Sequence, residues 1–172
     1  MAETVPVGKM LPVKWEPVMK NRALLEIEGI DYFLVKSFSA PQVQVEKVDI
    51  HWINVQRKVA SKMTFQPMSV TLNQAIAPNA TQQIQEWLRL STEYISGRSG
   101  YSDFYKRDIV LKVLDPIGNV INRWEIRGAF ITDANFGEFA HESAEVQEIQ
   151  LTLEYDIATI IYWFFNDFNH LE

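Results

Sequence analysis

Apolar and polar residues alternate with a period of two over much of the chain, which indicates β-strands with one buried face. Two such runs, residues 24–28 and 32–36, are separated by a glycine and predict a β-hairpin with its turn near residues 28–31. Residues 63–66 and, after Pro67, residues 68–72 predict one further strand, with an edge or a kink at the proline. The hydrophobic pattern is therefore that of a mainly β protein.

The alternation slips by one position within residues 43–52. Apolar residues occupy odd positions before Glu46 and Lys47 and even positions after them, so we predict a β-bulge there. The polar segment that follows, residues 54–62, is predicted to be a projecting loop between two strands. Its basic residues are Arg57, Lys58 and Lys62.

One segment, residues 78–96, has helical periodicity instead of strand periodicity. Asn79 or Thr81 can cap its first turn, and Gly97 and Gly100 can end it. Because its apolar residues recur at intervals of three and four, they form one stripe. We expect this single amphipathic helix to cover one side of the sheet.

Two further features complete the predicted β domain. Strands on either side of a turn at residues 115–119 form the clearest hairpin in the sequence. A final strand, residues 148–156, alternates buried and polar positions. Its predicted outward face consists of Glu148, Gln150, Thr152, Glu154 and Asp156.

These elements predict an antiparallel β-barrel or sandwich with one amphipathic α-helix, extended at both ends. Residues 1–20 contain three prolines and no strand or helix period, so we predict an extended N-terminal arm. The β domain spans residues 21–156, and residues 157–172 form an aromatic C-terminal extension. An apolar chain end must dock on its own subunit or on a neighbour, and both alternatives are open. Its aromatic cluster is Tyr162, Trp163, Phe164 and Phe165.

Composition narrows the function classes. The chain has 172 residues and no cysteine, which excludes disulfides, cysteine-ligated metals and thiol catalysis. Its longest apolar run is too short to span a membrane and its start lacks the pattern of a secretory signal, so we expect synthesis in a cytosol. The net charge of −6 argues against non-specific DNA binding. All 16 basic residues lie at or before Arg127, so one region of the surface is expected to be acidic.

Catalytic chemistry has no evident equipment in this sequence. The three histidines are far apart, and no nucleophile elbow, P-loop or dinucleotide-binding glycine motif is present. Carboxylate pairs such as Glu154 and Asp156 could act as acid and base, but with 22 acidic residues such pairs arise readily. We therefore expect a non-enzymatic protein without a cofactor or a metal.

The segment from Lys106 to Phe130 resembles a hairpin of the contractile bacteriophage tail tube family. A basic–acidic pair opens its first strand, which ends in Leu-Asp. A glycine-containing turn follows, and the return strand carries a tryptophan and then a pair of small residues. Residues 145–156 resemble the family's last strand, and residues 23–41 resemble its first hairpin. The resemblance covers about residues 20–156.

The resemblance implies a structural subunit of a phage tail tube. In this family six-fold rings stack into a hollow conduit for DNA ejection inside a contractile sheath. The implied partners are other copies of the chain and the tail sheath, baseplate and tail terminator proteins. A tape-measure protein and transiting DNA would occupy the lumen without specific binding. The implied location is the tail of a virion that is assembled in the host cytoplasm.

Three sets of residues are candidates for assembly roles. An acidic lining would repel the phosphate backbone of DNA, so the shared strand face suggests Glu148, Gln150, Glu154 and Asp156 as lumen residues. The basic loop with Arg57, Lys58 and Lys62 is expected to contact acidic residues of the ring above. The aromatic cluster at Tyr162, Trp163, Phe164 and Phe165 is expected on a neighbouring subunit.

Two alternatives stay open on the sequence. A tube protein of a type VI secretion system or a related injection machine would share the fold and conduct proteins. A monomeric β-barrel that binds a small ligand would also be acidic, aromatic-rich and single-domain.

Overall fold

The structure is a computed structural model and describes residues 16–142 and 144–162, the last of them by its backbone alone. Within these residues the chain forms nine strands, two α-helices and one 3₁₀ turn, Tyr32–Leu34. The helices are α1 (Ala80–Ser91) and α2 (Ser102–Tyr105). The strands are β1 (Ala23–Ile27), β2 (Val35–Phe38), β3 (Gln42–Trp52), β4 (Val55–Gln66), β5 (Met68–Asn73), β6 (Arg107–Leu114), β7 (Val120–Asn135), β8 (Glu148–Glu154) and β9 (Ile157–Tyr162).

The strands form an antiparallel arrangement that is organised around the long strand β7. Sheet 1 has the order β1, β6, β7, β9, and it uses the first part of β7. Sheet 2 has the order β2, β5, β8, β7, and it uses the last part of β7. The prediction of a mainly β, antiparallel fold with one amphipathic helix is confirmed.

The change of sheet along β7 occurs at Gly128. Its φ of +69° lies in the left-handed region, which side chains with a Cβ rarely adopt. A Cβ at this position would overlap the carboxylate of Asp156, whose Cγ would be only 2.9 Å away. That carboxylate is held by Lys106, with Nζ–Oδ distances of 2.6 and 2.8 Å. Gly128 is therefore required both by its backbone conformation and by a close neighbour.

Gly128→Ala is expected to lower the free energy of unfolding by more than the roughly 1–2 kcal/mol that the left-handed conformation alone costs. The excess comes from displacing Asp156 and breaking its ion pair with Lys106. Gly97→Ala is the matched control, because Gly97 has a φ of +67° and no atom within 4 Å of its added Cβ. Urea unfolding measures both variants, and equal losses would contradict a role for the Asp156 contact.

The core lies between the two sheets and is closed by α1. Every second residue of β8 is buried in it, and Ala80, Ile84 and Trp87 contribute the buried side of α1. The indole N–H of Trp87 donates to the carbonyl of Tyr105 at 2.6 Å, and the guanidinium of Arg107 lies 4.6 Å from the indole ring centre. The helix is thus tied to the chain that leads into β6.

The predicted helix begins where expected but ends earlier. Asn79 is the N-cap, and its side-chain oxygen accepts a hydrogen bond from the amide of Gln82 at 3.2 Å. The helix stops at Ser91 because Thr92 is extended and forms a β-bridge with Ser99. Ile95, which was predicted to belong to the apolar stripe, is 98% exposed. Its helical spacing was coincidental.

The hairpin predicted for residues 24–28 and 32–36 is wrong. The two strands exist, but β1 pairs with β6 and β2 pairs with β5, so they lie in different sheets. The 3₁₀ turn Tyr32–Leu34 carries the chain from one sheet to the other, and its Leu34 is buried in the shared core. The alternation of apolar and polar residues predicted the two strands because each buries one face. It gave no information about which strands they pair with.

The strands β3 and β4 pair with each other and form a two-stranded sheet of their own, which we call the ribbon. The predicted β-bulge is confirmed by a register shift between the Val45–Met63 and Lys47–Ala60 pairs. The loop predicted for residues 54–62 is wrong, because β4 begins at Val55 directly after a tight turn. The prediction was wrong because an exposed strand with several basic residues has the same polar composition as a loop.

The two predicted chain ends are only partly described. Residues 1–15 and residues 163–172 lie outside the described residues. The first six residues of the predicted C-terminal extension form β9, which runs antiparallel to β7 from the Arg127–Ile157 pair to the Asn122–Tyr162 pair.

Candidate assembly surfaces

The outward side of sheet 2 is a polar face rich in hydroxyl and amide side chains. Residues directly opposite each other in an antiparallel pair share one face of the sheet. The registers therefore group Gln150 and Thr152 with residues of β2, β5 and β7. The members of this polar face are Ser37, Ser69, Thr71, Asn73, Asp133, Asn135, Glu148, Gln150, Thr152 and Glu154, and the apolar Phe130 lies opposite Glu154 at its end.

The acidic candidates for the lumen have basic partners in space that are far away in sequence. Lys36 forms a salt bridge with Glu148, and Lys106 forms one with Asp156. Glu154 makes no salt bridge within the described part of the chain. Two of the acidic residues after Arg127 are thus paired with lysines from earlier in the chain. A carboxylate that is paired with a lysine contributes little to the electrostatic field, so the polar face is less acidic than the sequence suggested.

The four lumen candidates do not all occupy the same place. Glu148, Gln150 and Glu154 lie on the outward face of β8, whereas Asp156 follows the strand and sits beside Gly128 at the junction of the two sheets. The hydrogen bond to Asp156 raises the pKa of Lys106, because it favours the charged form of the lysine. Asp156 therefore has a structural contact in addition to its predicted role.

The outward side of sheet 1 has a different character. Lys112 pairs with Glu26 at 2.6 Å, and Glu125 lies between two arginines, 3.2 Å from Arg123 and 3.3 Å from Arg127. Exposed Leu24, Ile157 and Ile161 lie on the same side of the sheet. The two sheets thus offer one surface of charges and apolar groups and one that is almost purely polar.

The ribbon exposes apolar side chains that no other described residue covers. In its outer half, Val48 lies opposite Val59, and Trp52 lies opposite Val55. Trp52 is 73% exposed and Ile53, at the tip, is 92% exposed. An exposed strand pair with this much apolar surface is typical of a binding site or an aggregation hazard.

The three basic candidates of the predicted loop all lie on β4, but they do not form one patch. Arg57 is opposite Ile50 and shares the face of Trp52, while Lys58 is opposite Asp49 on the other face. Lys62 lies beside the bulge. A contact through this element therefore involves both faces of the ribbon, which the sequence did not show.

The last set of candidate residues, the aromatic cluster, lies at the end of the described chain. Tyr162 ends β9, while Trp163, Phe164 and Phe165 lie outside the described residues. Among the described residues, no three His, Asp or Glu side chains are grouped to hold a metal ion. None of the helices in the described ranges is long and apolar enough to cross a membrane.

The family model for the T4-like virus tail tube protein gp19 matches residues 21–159 of this chain. The chain belongs to this tail tube family. The resemblance found in the Lys106 hairpin and in the last strand is thereby confirmed. No curated protein matches the sequence of this tail tube chain.

Several solved structures are similar to this chain in fold. A chain of the anti-feeding prophage cap, which terminates the tube of that particle, has a TM-score of 0.72 and 19% identity, with 89% of this chain and 95% of the other covered. The extended sheath–tube complex of the extracellular injection system PVC gives 0.68 and 13%, with coverage of 94% and 100%. Hcp1 from Flavobacterium johnsoniae gives 0.51 and 12%, with coverage of 80% and 93%. At such low identities these likenesses show the fold alone.

Proposed function

We propose that this tail tube chain is a non-enzymatic structural subunit that assembles into six-fold rings, and that the rings stack into the hollow conduit for DNA in a contractile phage tail. The observation that carries the proposal is the ribbon. It holds exposed valines and a tryptophan outside the core, and no other residue in the described part of the chain covers them. Burial against another copy removes this apolar surface from water.

The proposed partners follow from the same family. They are other copies of the chain, the tail sheath, the baseplate and the tail terminator, with a tape-measure protein and DNA passing through the lumen. The related folds occur in a cap that terminates a tube and in a sheath–tube complex, which supports such contacts. The proposed location is the virion tail, assembled in the host cytoplasm, and the proposed activity needs no cofactor.

We propose the polar face of sheet 2 as the wall of the lumen. Hydroxyl and amide side chains hydrogen-bond to water and offer little apolar or charged surface to a passing polymer. Glu148, Gln150 and Glu154 lie on this face, and Asp156 lies at its border. The salt bridges to Lys36 and Lys106 offset two of the acidic residues, while Asp133 and Glu154 keep the wall negative.

The two ion pairs, which place lysines as well as acids at this wall, also favour a second candidate, the tube of a type VI secretion system or an extracellular injection system. Such tubes would conduct proteins, whose charges have both signs, and a wall that repels only phosphate would give them no advantage. The Hcp1 and PVC likenesses support this candidate at the level of the fold.

Electron microscopy of the purified protein tests the proposal directly. Negative stain is expected to show rings or tubes, and cryo-EM of a tube is expected to place Gln150 and Thr152 at the inner wall. A monodisperse monomer at every concentration and salt would refute the tube function and favour a ligand-binding barrel. Tubes with these side chains on the outer surface would refute the assignment of the wall alone.

A further inference from the structure

We propose that residues 163–172, the aromatic end of the chain, fill an apolar groove at one end of the core of their own subunit. We call it the core-end groove. The sequence alone favoured a neighbouring subunit as the place where this segment docks. The inference concerns the packing of a single subunit, so it does not rest on the proposed tube function.

The core-end groove opens between the two sheets, beside the start of β1 and the end of β2. Its volume is about 450 Å³. Ala23 and Val113 line it from sheet 1 and Phe38 lines it from sheet 2, while Val18 and Met19 of the segment before β1 form an exposed wall. Ala23 and Phe38 also pack against the core, so the groove is continuous with it. A groove of this size and apolar character accepts large side chains.

The strand β9 ends in the same row of residues that forms one wall of the groove. Tyr162 lies opposite Asn122, Asn122 lies opposite Val113, and Val113 lies opposite Ala23. Neighbouring strands are about 4.8 Å apart, so the end of β9 is about 10 Å from Val113 and about 14 Å from Ala23. Ten further residues reach up to about 33 Å when extended. The segment that follows Tyr162 therefore begins within a few residues of the groove.

Charge distinguishes between the two segments that lie close enough to enter the groove, residues 1–15 and residues 163–172. Lys20 is the one charged residue that lines the groove, and it forms no salt bridge with any residue in the described ranges. Residues 163–172 carry Asp167 and Glu172 and no lysine or arginine, whereas residues 1–15 carry two lysines and one glutamate. Opposite charge therefore favours the C-terminal segment beside Lys20.

The composition of the C-terminal segment matches an apolar groove. Half of its ten residues are large and apolar, namely Trp163, Phe164, Phe165, Phe168 and Leu171. Burial of such side chains against an exposed apolar wall removes both surfaces from water, which is favourable. The groove and the segment thus each cover the apolar surface of the other.

Engineered cysteines test this contact, because the chain has no cysteine of its own. Met19→Cys is combined in turn with Phe164→Cys and with Phe165→Cys, so that two adjacent positions are sampled. After mild oxidation, at least one pair is expected to form a disulfide within a single chain in most molecules, as measured by intact mass and a non-reducing gel. Ile53→Cys with Phe165→Cys is the matched control. It is expected to form none within a chain, because β3 carries Ile53 about 35 Å away from the groove.

Three results of the oxidation would overturn the inference. The absence of a disulfide in both pairs would show that the segment does not reach the groove. A disulfide that joins two chains would place the segment in the groove of a neighbouring subunit. A disulfide between Met19→Cys and Val7→Cys, with none in the two tail pairs, would make residues 1–15 the occupant.

Deletion of residues 163–172 gives a second readout with a definite sign. If the segment fills the groove, its removal uncovers apolar surface, and the fluorescence of the dye ANS is expected to rise severalfold while circular dichroism shows a folded chain. If the segment is exposed to water, the same deletion removes apolar surface, and unchanged or lower fluorescence would contradict the inference.

Deletion of residues 169–172 alone is the matched control, since it retains all four aromatic residues of the segment. It is expected to leave the dye fluorescence unchanged. Electron microscopy of the same variants reports tube formation separately, so a failure of the groove contact and a failure of the proposed function are distinguishable.

Discussion

Trp87→Ala is expected to cost about 3–5 kcal/mol of folding stability, the usual loss for removing a buried tryptophan. Trp87 is 1% exposed, and its ring fills the space between α1 and the sheets. The change also removes the hydrogen bond to the carbonyl of Tyr105 and the aromatic face beside Arg107. Since domains of this size are stable by only about 5–15 kcal/mol, this change removes a large part of the free energy of unfolding.

Urea unfolding followed by circular dichroism measures this loss, and Trp52→Ala is its matched control. Trp52 is the exposed tryptophan of the ribbon, so its removal is expected to change the free energy of unfolding by less than about 0.5 kcal/mol. Tube formation should show the opposite order, with Trp52→Ala weakening the stacking of correctly folded subunits. A loss below about 1 kcal/mol for Trp87→Ala would show that α1 does not hold the core together.

The elements with one buried face were predictable because burial leaves a period in the sequence. The strand β8 shows this most clearly, since Ile149, Leu151 and Leu153 are buried as their alternation predicted. The partners of the strands were not predictable in the same way. A strand such as β1 has the same pattern whether it pairs with β2 or with β6, because both arrangements bury the same side.

The candidate surfaces show a second kind of limit. The pairing of Lys36 with Glu148 joins residues that are 112 positions apart, so a count of charges along the chain could not detect it. The prediction of a loop at residues 54–62 was wrong for another reason. In the outer half of the ribbon, neither face is buried by the described residues, and the basic residues at Arg57 and Lys58 hid the alternation of β4. A strand whose burial depends on another molecule has no core face to reveal it.

The largest effect on assembly is expected from shortening the ribbon. In this variant residues 46–62 are replaced by Asn-Gly, which is a favoured two-residue turn and joins the paired Val45 and Met63 directly. The subunit should fold normally, since β3 and β4 pair only with each other in the described structure. The aromatic contact of Phe65 with Tyr155, with 5.6 Å between the two side-chain centroids, involves no replaced residue and is retained.

The shortened subunit is expected to form rings that do not stack, as judged by electron microscopy, with an unfolding free energy within about 0.5 kcal/mol of the wild type. Wild-type tubes from this variant would refute the role of the ribbon, and an unfolded variant would show that the ribbon supports the core. Mixing experiments give a sharper result. A ring without ribbons still has the surface that receives the ribbons of a neighbouring ring, so it can accept the ribbons of a wild-type ring but can donate none. Because a contact between the ribbon and a different surface of the next ring is heterologous, such rings should stop growth at one end of a tube and leave the other end free to extend.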